Sequence, residues 1–232
     1  MNNKIHITSD FCKLKSILKS KMLKLNGSDE VFYLGNKKVS SAAHPMVCFS
    51  EYDISTINEK VITYGKFGIA FTESWVENKL QQVLYVKKNS LVAKALATLL
   101  KARRITTLPN QLPPHVKQAI MEIKCFTKND RGRNLNKLFD DPDYDFKSEN
   151  EWRYVPSKAE IEGKLISESS KKYRANQLYY NKQWNKYSLK FTETDVVCVF
   201  VETNEEKEEV KALFPIDSRK IKISRWKTEW KK

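Results

Sequence analysis

The sequence predicts an α+β domain, a mixed and mainly antiparallel sheet flanked by helices, and four observations carry that prediction. Strand-like and helix-like patterns alternate irregularly, without the steady βαβ rhythm of a doubly wound sheet. The 232 residues are 41% hydrophobic and 11% aromatic, enough to close a core and outside the composition of disordered chains. Six Gly and seven Pro exclude collagen-like and low-complexity chains. The longest apolar run, Val196 to Val201, is far short of the roughly 18 residues that span a bilayer.

The elements follow in order. Thr8-Ser9-Asp10 supplies helix-capping side chains, and Phe11, Leu14, Ile17, Leu18, Met22 and Leu25 recur at helical spacing until Gly27-Ser28-Asp29 ends the pattern. Val31-Phe32-Tyr33-Leu34 before Gly35-Asn36 reads as a strand and turn, and Met46-Val47-Cys48-Phe49 as a second strand entered through Pro45. Residues 57–64 suit a short helix broken at Gly65. Two more strands follow at residues 67–71 and 82–86, rich in aromatic and β-branched side chains. From Ser90 the stripe Leu91, Val92, Ala95, Leu96, Leu99 and Leu100 predicts a helix, and a second runs over 115–123. Residues 127–149 are polar and read as a long loop with a short helix near 135–139. Trp152-Arg153-Tyr154-Val155 alternates as a strand, Val196 to Val201 is an apolar strand, 205–213 a helix, and Ile221 with Ile223 a final strand. Residues 1–215 are expected to form one α+β domain, and 216–232 a basic C-terminal extension.

Several function classes drop out. No phosphate loop, dinucleotide-binding glycine turn, H-E-x-x-H or G-x-S-x-G elbow is present. Cys12, Cys48, Cys125 and Cys198 are widely spaced and read as reduced thiols. Three scattered histidines, His6, His44 and His115, do not form a recognisable metal set, so no metal is expected. The amino terminus has no apolar segment of the secretory kind, which makes a cytoplasmic location the expectation, with no membrane contact.

The formal charge of +14 is concentrated rather than spread. Residues 87–104 carry six basic side chains and no acid, and residues 164–190 and 218–232 each carry seven against a single glutamate. Lys101, Arg103, Arg104, Lys171, Lys172, Arg174, Arg225, Trp226, Lys227 and Trp230 are therefore candidate contacts for DNA, RNA or a protein partner, since basic residues interleaved with aromatics suit phosphates and stacked bases. An acidic protein or an anionic cofactor would account for the same charge.

Five segments stand apart: His6-Ile7-Thr8, the run Pro45 to Glu51, the run Tyr64 to Ile69, Val83 to Val86, and Ser148 to Pro156 with its E-x-E-W-R-Y-V-P pattern. In this order and spacing they resemble the AbiGi family of abortive-infection phage-resistance proteins, over most of the chain from about His6 to Val201. That resemblance implies a small defence protein, described as the antitoxin-like member of a pair, with a partner encoded nearby. More remotely, a histidine beside Thr8 ahead of the first helix, a central strand with Phe49 and Ser50, and a late E-x-E are similar to the three-part signature of ADP-ribosyltransferases. By that likeness NAD is the cofactor, Glu151 binds the ribose whose charge develops in the transition state, and Glu149 orients or deprotonates the acceptor. His6, Thr8, Phe49, Ser50 and Tyr64 would line the NAD site. The plain alternatives are a pair of strand glutamates facing water or paired with Lys147 and Arg153, and a non-enzymatic antitoxin or regulator on the same scaffold.

Overall fold

A computed structural model describes residues 2–133, 142–163 and 167–228. The chain opens with β1 (Asn2–Thr8) and α1 (Phe11–Ser20), which Asp10 caps by accepting from the Lys13 amide. Next come β2 (Met22–Leu23), β3 (Asn26–Leu34), β4 (Lys37–Asp53), β5 (Phe67–Phe71), α2 (Glu73–Val76), β6 (Gln81–Gln82) and β7 (Leu84–Val86). The helices α3 (Leu91–Arg103) and α4 (Pro114–Cys125) precede the short strands β8 (Thr127–Asn129), β9 (Arg131–Gly132), β10 (Tyr144–Asp145) and β11 (Glu151–Tyr154). The last part holds β12 (Glu168–Ser169), α5 (Ser170–Ala175), α6 (Gln177–Trp184), β13 (Leu189–Lys190), β14 (Val196–Val201), α7 (Asn204–Leu213) and β15 (Ile221–Ile223).

The main sheet runs β15-β14-β5-β1-β4-β11-β6, antiparallel except for the β14–β15 pair. The α+β expectation therefore holds, with helices packed about a mainly antiparallel sheet. β4 serves two neighbourhoods. Its residues 37–46 pair with β3 and, at Ala42 and Ala43, with β12, while residues 47–50 pair with β11 and 50–53 with β1. All five residues of β5 are buried, as befits a central strand covered on both faces. One core gathers Leu14, Leu18, Phe49, Phe71, Trp75, Val199 and Phe214, with Phe71 stacked on Trp75 at 4.2 Å. A second joins Phe32 and Val86 to α3 and α4 through Leu96, Leu100, Ile120 and Met121.

Several expectations needed correcting. The first helix stops at Ser20 rather than near Leu25, because Lys21 turns left-handed (φ 52°) and caps Leu18; Met22 and Leu23 then pair with β13. The helix expected over 57–64 is reduced to a 3-10 turn, Ile57–Glu59, followed by a β-bridge from Val61 to Lys227. The strand expected at 82–86 is split between β6 and β7, with the Val83 amide donating to Glu151 O. Residues 127–149 hold β8, β9, β10 and a 3-10 turn, Phe146–Glu149, rather than plain loop; the helix expected near 135–139 lies outside the described residues.

The stretch expected as a basic extension contributes the edge strand β15 and the buried Trp226. Trp226 packs edge-on against Phe200 at 5.2 Å, and its indole N–H donates to Gly65 O at 2.8 Å. Gly65 itself has φ +136°, and a Cβ there would lie 2.3 Å from Thr8 O, so only glycine fits this turn.

Candidate functional site

Strand alternation builds the site. Glu151 and Arg153 on β11 stand opposite Ser50 and Cys48 on β4, so these four share one face of the sheet. Trp152 and Glu51 point to the other face, where Glu51 accepts from the Trp152 indole at 3.1 Å and pairs with Lys4 at 2.9 Å. Two acid–base clusters thus sit back to back across the sheet.

Arg153 has no solvent exposure and organises the first cluster. Its Nε donates to Glu151 Oε1 at 2.8 Å, its Nη2 to Glu151 Oε2 at 3.0 Å and Glu30 Oε1 at 3.1 Å, and its Nη1 to Cys125 O at 2.6 Å. The parallel β7–β8 pair sets Tyr85 beside Lys128 and delivers both to Glu151. Tyr85 Oη accepts from the Glu151 amide at 3.0 Å, and Lys128 Nζ donates to Glu151 Oε2 at 3.2 Å and to Glu149 Oε2 at 2.7 Å. The Tyr64 hydroxyl donates to Glu149 Oε1.

Glu149 reaches this place by a different route from the one expected. It ends the 3-10 turn, and Asn150 at φ 41° swings the chain into β11, so the two glutamates converge through a turn rather than through strand alternation. Their environments then differ. Burial pushes the Glu149 carboxyl up, with Lys128 opposing and Glu151 reinforcing. Burial also works against Glu151 ionising, but Arg153 and then Lys128 outweigh it and hold the carboxyl below its ordinary value. For Glu30 burial is likewise overcome by Arg153, Lys128 and Lys124. The two glutamates are thereby shifted in opposite directions, Glu151 down and Glu149 up.

His6 Nδ1 lies 2.9 Å from Cys48 O, and since a carbonyl only accepts, Nδ1 carries the proton. Burial lowers its pKa despite that bond, leaving a neutral ring with Nε2 as an acceptor.

His6, Ser50, Phe49, Tyr64, Glu149 and Glu151 all line one cavity of about 170 Å³, with Lys128 and Glu30. It shares His6, Cys48 and Tyr64 with a groove of about 760 Å³, which Thr8 also lines. The expected NAD-site residues are therefore brought together. Phe49 is a wall with a ring that belongs to the core, 1% exposed and edge-on to Phe71 at 5.9 Å.

The expected contact residues scatter. Lys101, Lys171 and Lys172 are exposed; Arg103 donates to Lys117 O at 3.3 Å and Arg104 to Val39 O at 2.8 Å, tying α3 to its neighbours. Arg174 pairs with Asp29. Arg225 and Lys227 are exposed, Trp230 lies outside the described residues, and Trp226 is fully buried, so it belongs to the core and not to a contact surface. Lys128 and Glu30 were not anticipated. They arrive from 23 and 121 residues away from Glu151 in sequence, and no local motif marks them.

Among the described residues no group of three or more His, Cys, Asp or Glu is placed to hold a metal ion, and no helix is long and apolar enough to cross a membrane. A family model described as "Putative abortive phage resistance protein AbiGi, antitoxin" matches residues 20–202, a span that holds both glutamates, Lys128 and Tyr64 and begins after His6 and Thr8. No curated protein and no solved structure matches the chain.

Proposed function

The chain belongs to the AbiGi family of abortive phage resistance, and on that premise we propose that it acts in phage defence as an NAD-using, ADP-ribosyltransferase-like effector. The observation that supports this reading is the convergence of His6, Ser50, Glu149 and Glu151 on one cavity beside a groove large enough for a dinucleotide.

NAD, when bound, supplies an electrophilic ribose carbon and nicotinamide as leaving group. Glu151, ionised by Arg153 and Lys128, stabilises the positive charge that develops on that ribose. Its 3.2 Å bond from Lys128 is the longest of its three charge-assisted contacts, and Lys128 lines the cavity, so a ribose hydroxyl takes that lone pair most readily. His6 Nε2 accepts from a second ribose hydroxyl. Glu149 takes the acceptor's proton as the acceptor's oxygen or nitrogen bonds to the ribose carbon and the bond to nicotinamide breaks, its electron pair leaving with nicotinamide.

The family description favours a second reading, a non-enzymatic antitoxin that binds a toxin protein, in which the Glu30–Arg153–Glu151 network only shapes the fold. Incubating the purified chain with labelled NAD and host extract separates the two. The first reading expects nicotinamide release and label on a macromolecule. Absence of both, with co-purification of a neighbouring gene product, would establish the second.

A further inference from the structure

On the far side of Lys128 lies another concave surface, a cleft of about 560 Å³ with walls from β3, the 128–133 segment and α5. Two of its cations, Lys88 and Arg174, belong to the basic runs at 87–104 and 164–190, and the others lie outside all three runs. Lys38, Lys88, Lys128, Arg131 and Arg174 come together there from four separate places in the chain, against the carboxylates of Asp29 and Glu30.

Not all of these cations are available. Arg174 is paired with Asp29, Arg131 lies 2.8 Å from Asp143, and Lys128 serves the two glutamates. Lys38 and Lys88 form no ion pair among the described residues. Aromatic faces stand beside the charge: Lys88 Nζ is 5.7 Å from the centre of the Tyr33 ring and Lys128 Nζ 4.3 Å from that of Phe146, and both rings line the cleft. Lysines with no carboxylate partner among the described residues, set next to half-buried rings in a concave track, match what a flexible phosphodiester chain with unstacked bases requires. A duplex offers its phosphates but not its base faces, and a run of acidic side chains carries no flat π face to stack on the rings.

We propose that this cleft binds single-stranded nucleic acid, with phosphates on Lys38 and Lys88 and a base against Tyr33 or Phe146. Tyr64, Glu30 and Lys128 line both this cleft and the carboxylate cavity. A bound strand therefore abuts Glu149, and its service as the acceptor rests on the NAD reading given above, whereas its binding does not.

Fluorescence anisotropy without NAD tests the binding, using labelled single-stranded DNA, RNA of the same sequence and the DNA duplex, each about 16 nucleotides long. The wild type is expected to bind a single strand more tightly than duplex, with affinity falling as salt rises. Lys38→Glu with Lys88→Glu should weaken binding at least about tenfold and flatten the salt slope by about 1.4. Lys19→Glu with Lys60→Glu, both exposed and outside the cleft, should change affinity by less than about threefold.

No single-strand binding by the wild type, tighter binding to duplex, an unchanged affinity in the cleft variant, or an equal loss in the Lys19/Lys60 variant would each overturn the proposal. Nicotinamide release is read separately, so a silent NAD assay with intact strand binding removes the enzymatic reading and leaves the cleft. Release without strand binding does the reverse.

Discussion

Replacing Arg153 with Met should cost about 3–5 kcal/mol of folding stability at pH 7, the loss typical when one partner of a buried ion pair is removed and the other remains. Arg153 is wholly buried and neutralises Glu151 and Glu30 together, while also satisfying Cys125 O. In the variant Glu30 loses its nearest cation and Glu151 keeps only Lys128, which Glu149 shares.

The pH dependence follows from the directions of the shifts. In the wild type Glu30 and Glu151 are held below the ordinary carboxylate value, so their contribution is present above about pH 4.3 and is lost as pH falls through the folded values. Without the guanidinium, burial governs and raises these carboxyls, and a raised group favours the folded state more as pH falls. The gap between wild type and Arg153→Met should therefore narrow from pH 7 toward pH 4 in urea unfolding curves. Equal stability at pH 7 would mean that Arg153 does not organise the cluster.

Glu151→Gln should reduce nicotinamide release by about 10²–10³-fold, the range seen when one preorganised electrostatic group is removed from a transition-state site. The amide keeps the shape and loses the charge. Arg153 retains Glu30 and Cys125 O, so the cost in stability should be smaller than for Arg153→Met, about 1–3 kcal/mol. The urea midpoint of this variant must accompany its rate, because a drop in activity matched by unfolding says nothing about the ribose. A folded variant with unchanged release would take Glu151 out of the mechanism.

What could be read from the chain depended on how local the cause was. β5 and β14 were legible because Phe-Gly-Ile-Ala-Phe and Val-Val-Cys-Val-Phe-Val declare buried strands within a few residues. α7 declared itself through its apolar spacing and through Thr203 and Glu206, which form a capping box. Glu151 and Arg153 could be placed on one face of a strand for the same reason. Glu149 could not be placed correctly, since a left-handed Asn150 is a single backbone choice without a pattern.

Lys128 and Glu30 were invisible because their position depends on β7–β8 and β3–β4 pairing, which no short window encodes. Charge misled in a similar way. Trp226 sits in a basic run, yet its large apolar ring is worth more buried than displayed. The cleft cations come from segments that, read one at a time, look like ordinary solvated lysines.

If the cavity between β1, β4 and the two glutamates is a dinucleotide site, NAD binds there. A crystal structure of the wild-type protein with NAD tests it most directly. The nicotinamide-side ribose is expected within hydrogen-bond distance of Glu151, with nicotinamide between His6 and Ser50 and the remainder along the groove past Thr8. A dinucleotide seated elsewhere, or a cavity that stays empty at saturating NAD, would contradict it.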